Sequence, residues 1–163
     1  MVDWKMFYKE QMIVLLKNHI CPPLKADYKL CVAVIQQESG FDPTIKSSAG
    51  AGGLGQFMPG TWASTFQNVK NFAKKWAAVG NKNFEPDLID DRFNAYTALW
   101  CSVYYLECAI PTSLRYYNLP VTEENKLAAY NAGIQRVIDG SWKNITETVN
   151  YVKSIQAIKK TVK

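Results

Sequence analysis

The chain has 163 residues, 48% of them hydrophobic, and 19 lysines and arginines against 14 acids give a formal net charge of +5. That length and apolar content describe one domain with a full core. The moderate charge contains no basic block of the kind that forms a nucleic-acid arm, and it suits an anionic polymer or plain solubility.

In chain order, Asp3 to Asn18 carries Trp4, Phe7, Tyr8, Val14 and Leu15, and Pro22-Pro23 end that helical segment. Tyr28 to Ser39 predicts a second helix, stopped by Gly40. Thr61 to Phe66 starts a short helix, and Val69, Phe72, Ala73 and Trp76 mark another that stops near Gly80. Asp90 to Cys108 is long and rich in aromatics, ending before Pro111. Thr122 is an N-cap, with Glu123 and Glu124 in an acidic first turn, for a helix reaching Asn131. Thr146 to Lys160 closes the chain, with Tyr151, Ile155 and Ile158 on one face. Strand alternation, internal repeats and low-complexity linkers are lacking. The expected fold class is all-α, with at most a minor β element.

The first ten residues include Asp3 and Glu10, and the apolar run Met12–Leu16 is too short for a signal core or a membrane span. Cys21, Cys31, Cys101 and Cys108 form no Cys-x-x-Cys pair, and His19 is the only histidine, so no metal site or other cofactor is expected. Cys31 and Cys101 fall within apolar helical patterns and read as buried thiols. Spacing alone decides no disulfide.

One acid stands apart. Counting back from Glu38 by seven, four and three residues reaches Cys31, Val34 and Ile35, so its carboxylate shares a helix face with core-seeking side chains. It also lies in the last turn, at the negative end of the helix dipole. Partial burial and that dipole both disfavour the charged form and raise the carboxyl pKa. An acid held protonated near neutral pH is what a glycosidic oxygen needs as a proton donor. The bland alternative is a surface glutamate at a frayed helix end.

Gly50, Gly52 and Gly55 satisfy the G-x-G-x-x-G spacing of a dinucleotide site, but the context fails. Thr44 to Ser48 is polar, Pro59 interrupts the following turn, and Lys74 and Lys75 stand where an acid belongs. A glycine loop lying close to a ligand is the better reading, with the Gln56 amide projecting from it towards that ligand.

Four further pieces occur in order. They are Glu38-Ser39-Gly40-Phe41, then Gly53-Leu54-Gly55-Gln56 with Met58-Pro59 and Thr61, then Ala129-Tyr130-Asn131-Ala132-Gly133, and finally Glu147-Thr148 with Tyr151-Val152. Together they resemble the lysozyme-like catalytic domain of soluble lytic transglycosylases, which is related to goose-type lysozyme. The resemblance implies a single domain over residues 1–163 with a glycan-binding cleft, in which 1–25 form an N-terminal helix and lead-in and 28–160 the motif-bearing core. It implies cleavage of the β-1,4 bond between N-acetylmuramic acid and N-acetylglucosamine in peptidoglycan, with Glu38 as catalytic acid and then base. By the same resemblance Ser39, Gln56, Met58, Tyr130 and Asn131 bind the glycan, and Tyr151 hydrogen-bonds Glu38. The alternative for each tyrosine is core packing with a satisfied hydroxyl. Trp62, Trp76, Trp100 and Trp142 are candidate sugar-stacking faces or core. Gly55 departs from the family's usual methionine, and Ile134 stands where proline is common.

Ordinary glycosidases need two carboxylates. Asp42 carries no catalytic duty in the family, and Glu85, Asp87, Asp90 and Asp91 match no catalytic motif. With one committed acid the sugar's own N-acetyl group can serve as nucleophile. In the family this leads to attack by the muramoyl 6-hydroxyl and a 1,6-anhydro product. The alternatives are a hydrolytic muramidase that draws its base from Glu85, Asp87, Asp90 or Asp91, and a wall-binding or structural virion domain without turnover. A cysteine amidase is disfavoured, because His19 is the only candidate base. The expected partners are peptidoglycan glycan strands in the periplasm or cell wall, not nucleic acid or a membrane. Without its own export signal, such an enzyme would be carried there by a phage virion or secretion assembly, released by lysis, or form part of a larger protein.

Overall fold

The structure, a computed structural model, describes residues 4–79 and 87–163. Its helices are α1 (Trp4–Leu15), α2 (Cys21–Leu24), α3 (Tyr28–Ser39), α4 (Pro59–Ala78), α5 (Ala95–Tyr104), α6 (Ile110–Tyr116), α7 (Glu123–Ala132), α8 (Ile134–Ile138) and α9 (Thr146–Thr161). No strand occurs among the described residues, only isolated bridges pairing Gly52 with Lys46 and with Phe57. The all-α expectation with a minor β element therefore holds.

The centre of the fold is α3. Asp27 caps it by accepting bonds from the Lys29 and Leu30 amides, and Gly40 ends it in the left-handed region at φ 60°. Between these caps every residue from Leu30 to Ile35 is buried. A helix apolar around its whole circumference has neighbours on all sides. Here α9 packs along α3, and α7 packs on α9. Glu38 is thus delivered by a well-enclosed helix. Lys159 of α9 ties this trio together at the surface, reaching Asp27 at 2.7 Å and Glu123 at the start of α7 at 2.6 Å.

All three prolines expected to stop helices are instead accommodated. A π turn over Leu16–Ile20 links α1 to α2, which holds Pro22 and Pro23, and a second over Tyr105–Ala109 links α5 to α6, which holds Pro111. Proline lacks a donor and its ring crowds the carbonyl four residues back. A π turn shifts the pairing by one residue just before each proline, so the chain stays helical. The two short helices expected between Thr61 and Trp76 are one continuous element, α4. The expected stop at Gly80 lies outside the described residues. The aromatic helix begins at Ala95 rather than Asp90, because Asn94 caps it through a bond from the Thr97 amide. Thr122 does cap α7, accepting from the Asn125 amide.

Candidate active site

A cleft of about 420 Å³ opens beside Glu38, and Gln56, Phe57, Met58, Tyr105, Tyr130, Asn131 and Glu147 are among the residues lining it. Glu38 is half-buried in the last turn of α3. Burial pushes its carboxyl from 4.5 up to about 7. The Tyr151 hydroxyl donates to Glu38 Oε1 and pulls in the opposite direction, because a donor favours the ionised acceptor. Tyr151 is itself almost fully buried, and burial together with the nearby Glu38 charge holds its phenol protonated. The phenol is therefore a fixed donor that orients the acid.

Tyr130 lies behind the acid and donates to the Gly55 carbonyl at 3.0 Å. Its ring meets Tyr105 edge-on, with centroids 5.3 Å apart, and tilts against Phe57. Asn131 is exposed at the cleft edge, and its Oδ1 accepts from the buried Thr148 hydroxyl at 2.8 Å. That bond commits the oxygen to α9 and leaves the amide hydrogens to face the cleft. Met58 is 45% exposed at the entry to α4.

The loop before α4 supplies the opposite wall. Gly52 and Phe57 exchange both backbone bonds, and the Gln56 amide donates to the carbonyls of Gly53 at 2.9 Å and Ile45 at 3.1 Å. Gln56 lines the cleft, with its amide hydrogens turned into the loop. They close the loop, and its carbonyl oxygen is the group left to face the cleft. Two of the glycines also admit the chain's own residues. A Cβ on Gly53 would stand 1.9 Å from the Arg92 carbonyl oxygen, and one on Gly52 would stand 2.7 Å from the Phe93 ring. At Gly52 and Gly53 the close approach is to residues 92–93, while Gly55 lines the cleft. At Gly55 the neighbours are Ser102 Oγ at 2.3 Å, Phe57 at 2.6 Å and the Tyr130 hydroxyl at 2.8 Å. Cleft residues already occupy the space that a methionine side chain would need.

Ser39 corrects another expectation. It is buried, its hydroxyl donates to the Ile35 carbonyl at 3.1 Å, and it faces a separate groove with Met12 and Phe41 rather than the cleft. Glu38 and Ser39 are adjacent in sequence, so on a helix they diverge by about 100°.

The other acids are placed apart from Glu38 or engaged elsewhere. Asp42 Oδ1 accepts from the Thr44 amide and hydroxyl, Asp90 Oδ1 from Trp62 Nε1 at 2.9 Å, and Asp91 Oδ1 from the Phe93 amide. None of these, nor the exposed Asp87, lines the cleft. Glu85 lies outside the described residues. Glu147 is the second carboxylate of the cleft, and the sequence reading did not weigh it. A signal existed, since Glu147 precedes Tyr151 by four residues and so shares its helix face. Tyr105 was missed for a different reason. It is one tyrosine in an aromatic-rich helix, and only the π turn it begins sets its place at the cleft. Trp62 and Trp100 are core, and none of the four candidate tryptophans is among the residues lining the cleft. No cluster of potential metal ligands occurs among the described residues. No helix among them is long and apolar enough to cross a membrane.

A family model described as the transglycosylase SLT domain matches residues 24–153. Solved structures share the fold. The lytic transglycosylase Slt of Pseudomonas aeruginosa is 21% identical with a TM-score of 0.61, over 92% of this chain and 23% of that one. The 70-kDa soluble lytic transglycosylase of Escherichia coli is 21% identical with a TM-score of 0.58, over 94% and 27%. The 70-kDa soluble lytic transglycosylase in complex with bulgecin A is 23% identical with a TM-score of 0.62, over 93% and 24%. The chain thus spans about a quarter of the length of these structures.

Proposed function

The chain belongs to the transglycosylase SLT domain family, and on that premise we propose that it is a peptidoglycan lytic transglycosylase with Glu38 as its general acid and base. The observation that carries the reading is the state of Glu38. Burial holds its carboxyl near pH 7, at the edge of a cleft wide enough for a sugar chain, and a buried tyrosine hydroxyl fixes its orientation. Such a carboxyl is protonated often enough to donate and basic enough to take a proton back.

In the proposed reaction Glu38 gives its proton to the β-1,4 oxygen between N-acetylmuramic acid and N-acetylglucosamine. The muramoyl N-acetyl oxygen attacks the anomeric carbon as that bond breaks, in the substrate-assisted manner that dispenses with a protein nucleophile. Glu38, now ionised, accepts the proton of the muramoyl 6-hydroxyl as that oxygen closes on the anomeric carbon and displaces the acetyl oxygen, which regains its amide form, giving the 1,6-anhydro product. The amide hydrogens of Asn131 and the carbonyl oxygen of Gln56 are the groups we assign to sugar amide and hydroxyl recognition. The Tyr105 ring and Met58 supply the apolar surface beside them. On this reading the enzyme acts at the bacterial cell wall.

A second reading is favoured by one observation. Glu147 brings another carboxylate into the same cleft, and an enzyme using it to activate water would be a hydrolytic muramidase. Mass spectrometry of digested peptidoglycan separates the two. Anhydromuramic ends are expected, reducing muramic ends would establish the hydrolase, and the absence of any soluble product would leave a wall-binding domain.

A further inference from the structure

We infer that Arg92, which stands outside the cleft, is a positioning residue for the wall facing Glu38, and that it sets the affinity for glycan without touching it. The inference rests on the transglycosylase reading for the identity of the ligand.

One guanidinium nitrogen, Nη1, donates to the Gly50 carbonyl at 2.9 Å and to the Phe57 carbonyl at 2.7 Å. These two carbonyls bracket the glycine loop. Ala51, Gly55, Gln56 and Phe57, all within or at the end of that span, line the cleft. Leu54 and Phe57 anchor the loop in the core, and Gly50, Gly52, Gly53 and Gly55 add no side-chain packing of their own. The clamp fixes both ends of the loop to one rigid, planar cation.

Arg92 is itself fastened. Its guanidinium lies over the Phe93 ring at 5.3 Å, and the Asp91 carboxylate accepts the Phe93 amide. Asp90 bonds Trp62 of α4, and Asn94 caps α5. The loop is therefore referred to α4 and α5, whereas the acid is held by α3 and α9. Tyr130 of α7 also bonds the loop, at the Gly55 carbonyl, and Arg92 holds its two ends.

Both bonds join a cation to a carbonyl, which makes them stronger than neutral ones. Lysine would carry the charge on a flexible, strongly hydrated ammonium and hold two fixed carbonyls less well. Loss of the clamp should make local opening of the loop on the order of tenfold more frequent. On this proposal the loop, through Gln56, holds the sugar equally in substrate and transition state, so that loss weakens uniform binding. It raises KM and leaves kcat nearly unchanged.

The test compares Arg92→Ala and Arg92→Lys with the parent chain. Amide hydrogen exchange at Gly52, Gly53 and Phe57 should quicken on the order of tenfold in the alanine variant and less in the lysine variant, with α3 amides unaffected. KM for soluble uncrosslinked glycan strands should rise several-fold, kcat and the pH profile set by Glu38 should hold, and millimolar guanidinium chloride should restore KM in part. Should Arg92→Ala fold poorly, Arg92→Lys alone carries the comparison of exchange and KM. Loop exchange and KM both like the parent's would overturn the inference, as would a fall in kcat with KM unchanged. Failure of the transglycosylase reading would appear separately, as a parent chain releasing no anhydromuramic product while the exchange result stood.

Discussion

The Tyr151 hydroxyl meets Glu38 Oε1 across 113 positions of sequence, as the donor of the bond. Burial raises the carboxyl and the phenol lowers it, so the acidity of Glu38 is a balance between α3's enclosure and one side chain of α9. Removing the hydroxyl while keeping the ring has a direction that follows from this. In Tyr151→Phe the ionised carboxylate loses its donor, and the alkaline limb of the pH–rate profile should move to higher pH. Stability should fall by about 0.5–1.5 kcal/mol. The rate should fall further than that loss explains, because a freed acid spends less time in the reactive geometry. A folded variant with the parent's rate and limb would return Tyr151 to a packing role.

Glu38→Gln removes the proton donor and keeps the shape. Activity on peptidoglycan should drop on the order of 10²–10⁴-fold or more, with the helical circular-dichroism spectrum intact. Wall clearing at the parent's speed would show that another group supplies the proton.

The same variant should change stability in a pH-dependent way. Glu38 ionises near 4.5 unfolded and near 7 folded, so the folded state binds more protons between those values. The parent's stability from this group is fully present below about pH 4.5 and is lost as pH rises through about 7. Glutamine carries no such dependence. The stability of Glu38→Gln relative to the parent, followed by thermal melting, should therefore climb between pH 4.5 and 7, reaching a gain on the order of 3 kcal/mol above it. A flat difference across that window would mean that Glu38 titrates normally.

Carboxylate substitutions separate the two reaction schemes. Asp42→Asn, Asp87→Asn, Asp90→Asn and Asp91→Asn should keep turnover, since none of these side chains lines the cleft. Glu85→Gln should do the same. Glu147→Gln is the decisive variant. Under substrate-assisted chemistry it still yields anhydromuramic ends, at most with weaker binding. A collapse of turnover in the folded variant would make Glu147 a base and the enzyme a muramidase.

Gly55→Ala tests how the cleft replaced the family's usual methionine. The added Cβ meets Ser102, Phe57 and the Tyr130 hydroxyl at 2.3–2.8 Å, so thermal unfolding should show a loss of about 1–3 kcal/mol from overpacking. A neutral substitution would mean that these neighbours yield freely.

The sequence by itself determined the helical class, the extent of α3 and the prominence of Glu38. Those features follow from local spacing, because caps such as Thr122 and stops such as Gly40 act within a turn of the chain. The prolines misled, because the π turns that carry them depend on how the flanking helices pack. What faces the cleft was decided only in three dimensions. Ser39 turned away by one helical step, the Gln56 amide hydrogens closed their own loop, and Gly52 and Gly53 made room for Arg92 and Phe93. Glu147 and Tyr105 entered the cleft because α9 and the π turn after α5 converge on Glu38 from distant parts of the chain. Contacts between residues remote in sequence leave no local spacing signal, and the acidity of Glu38, set by its burial, is of that kind.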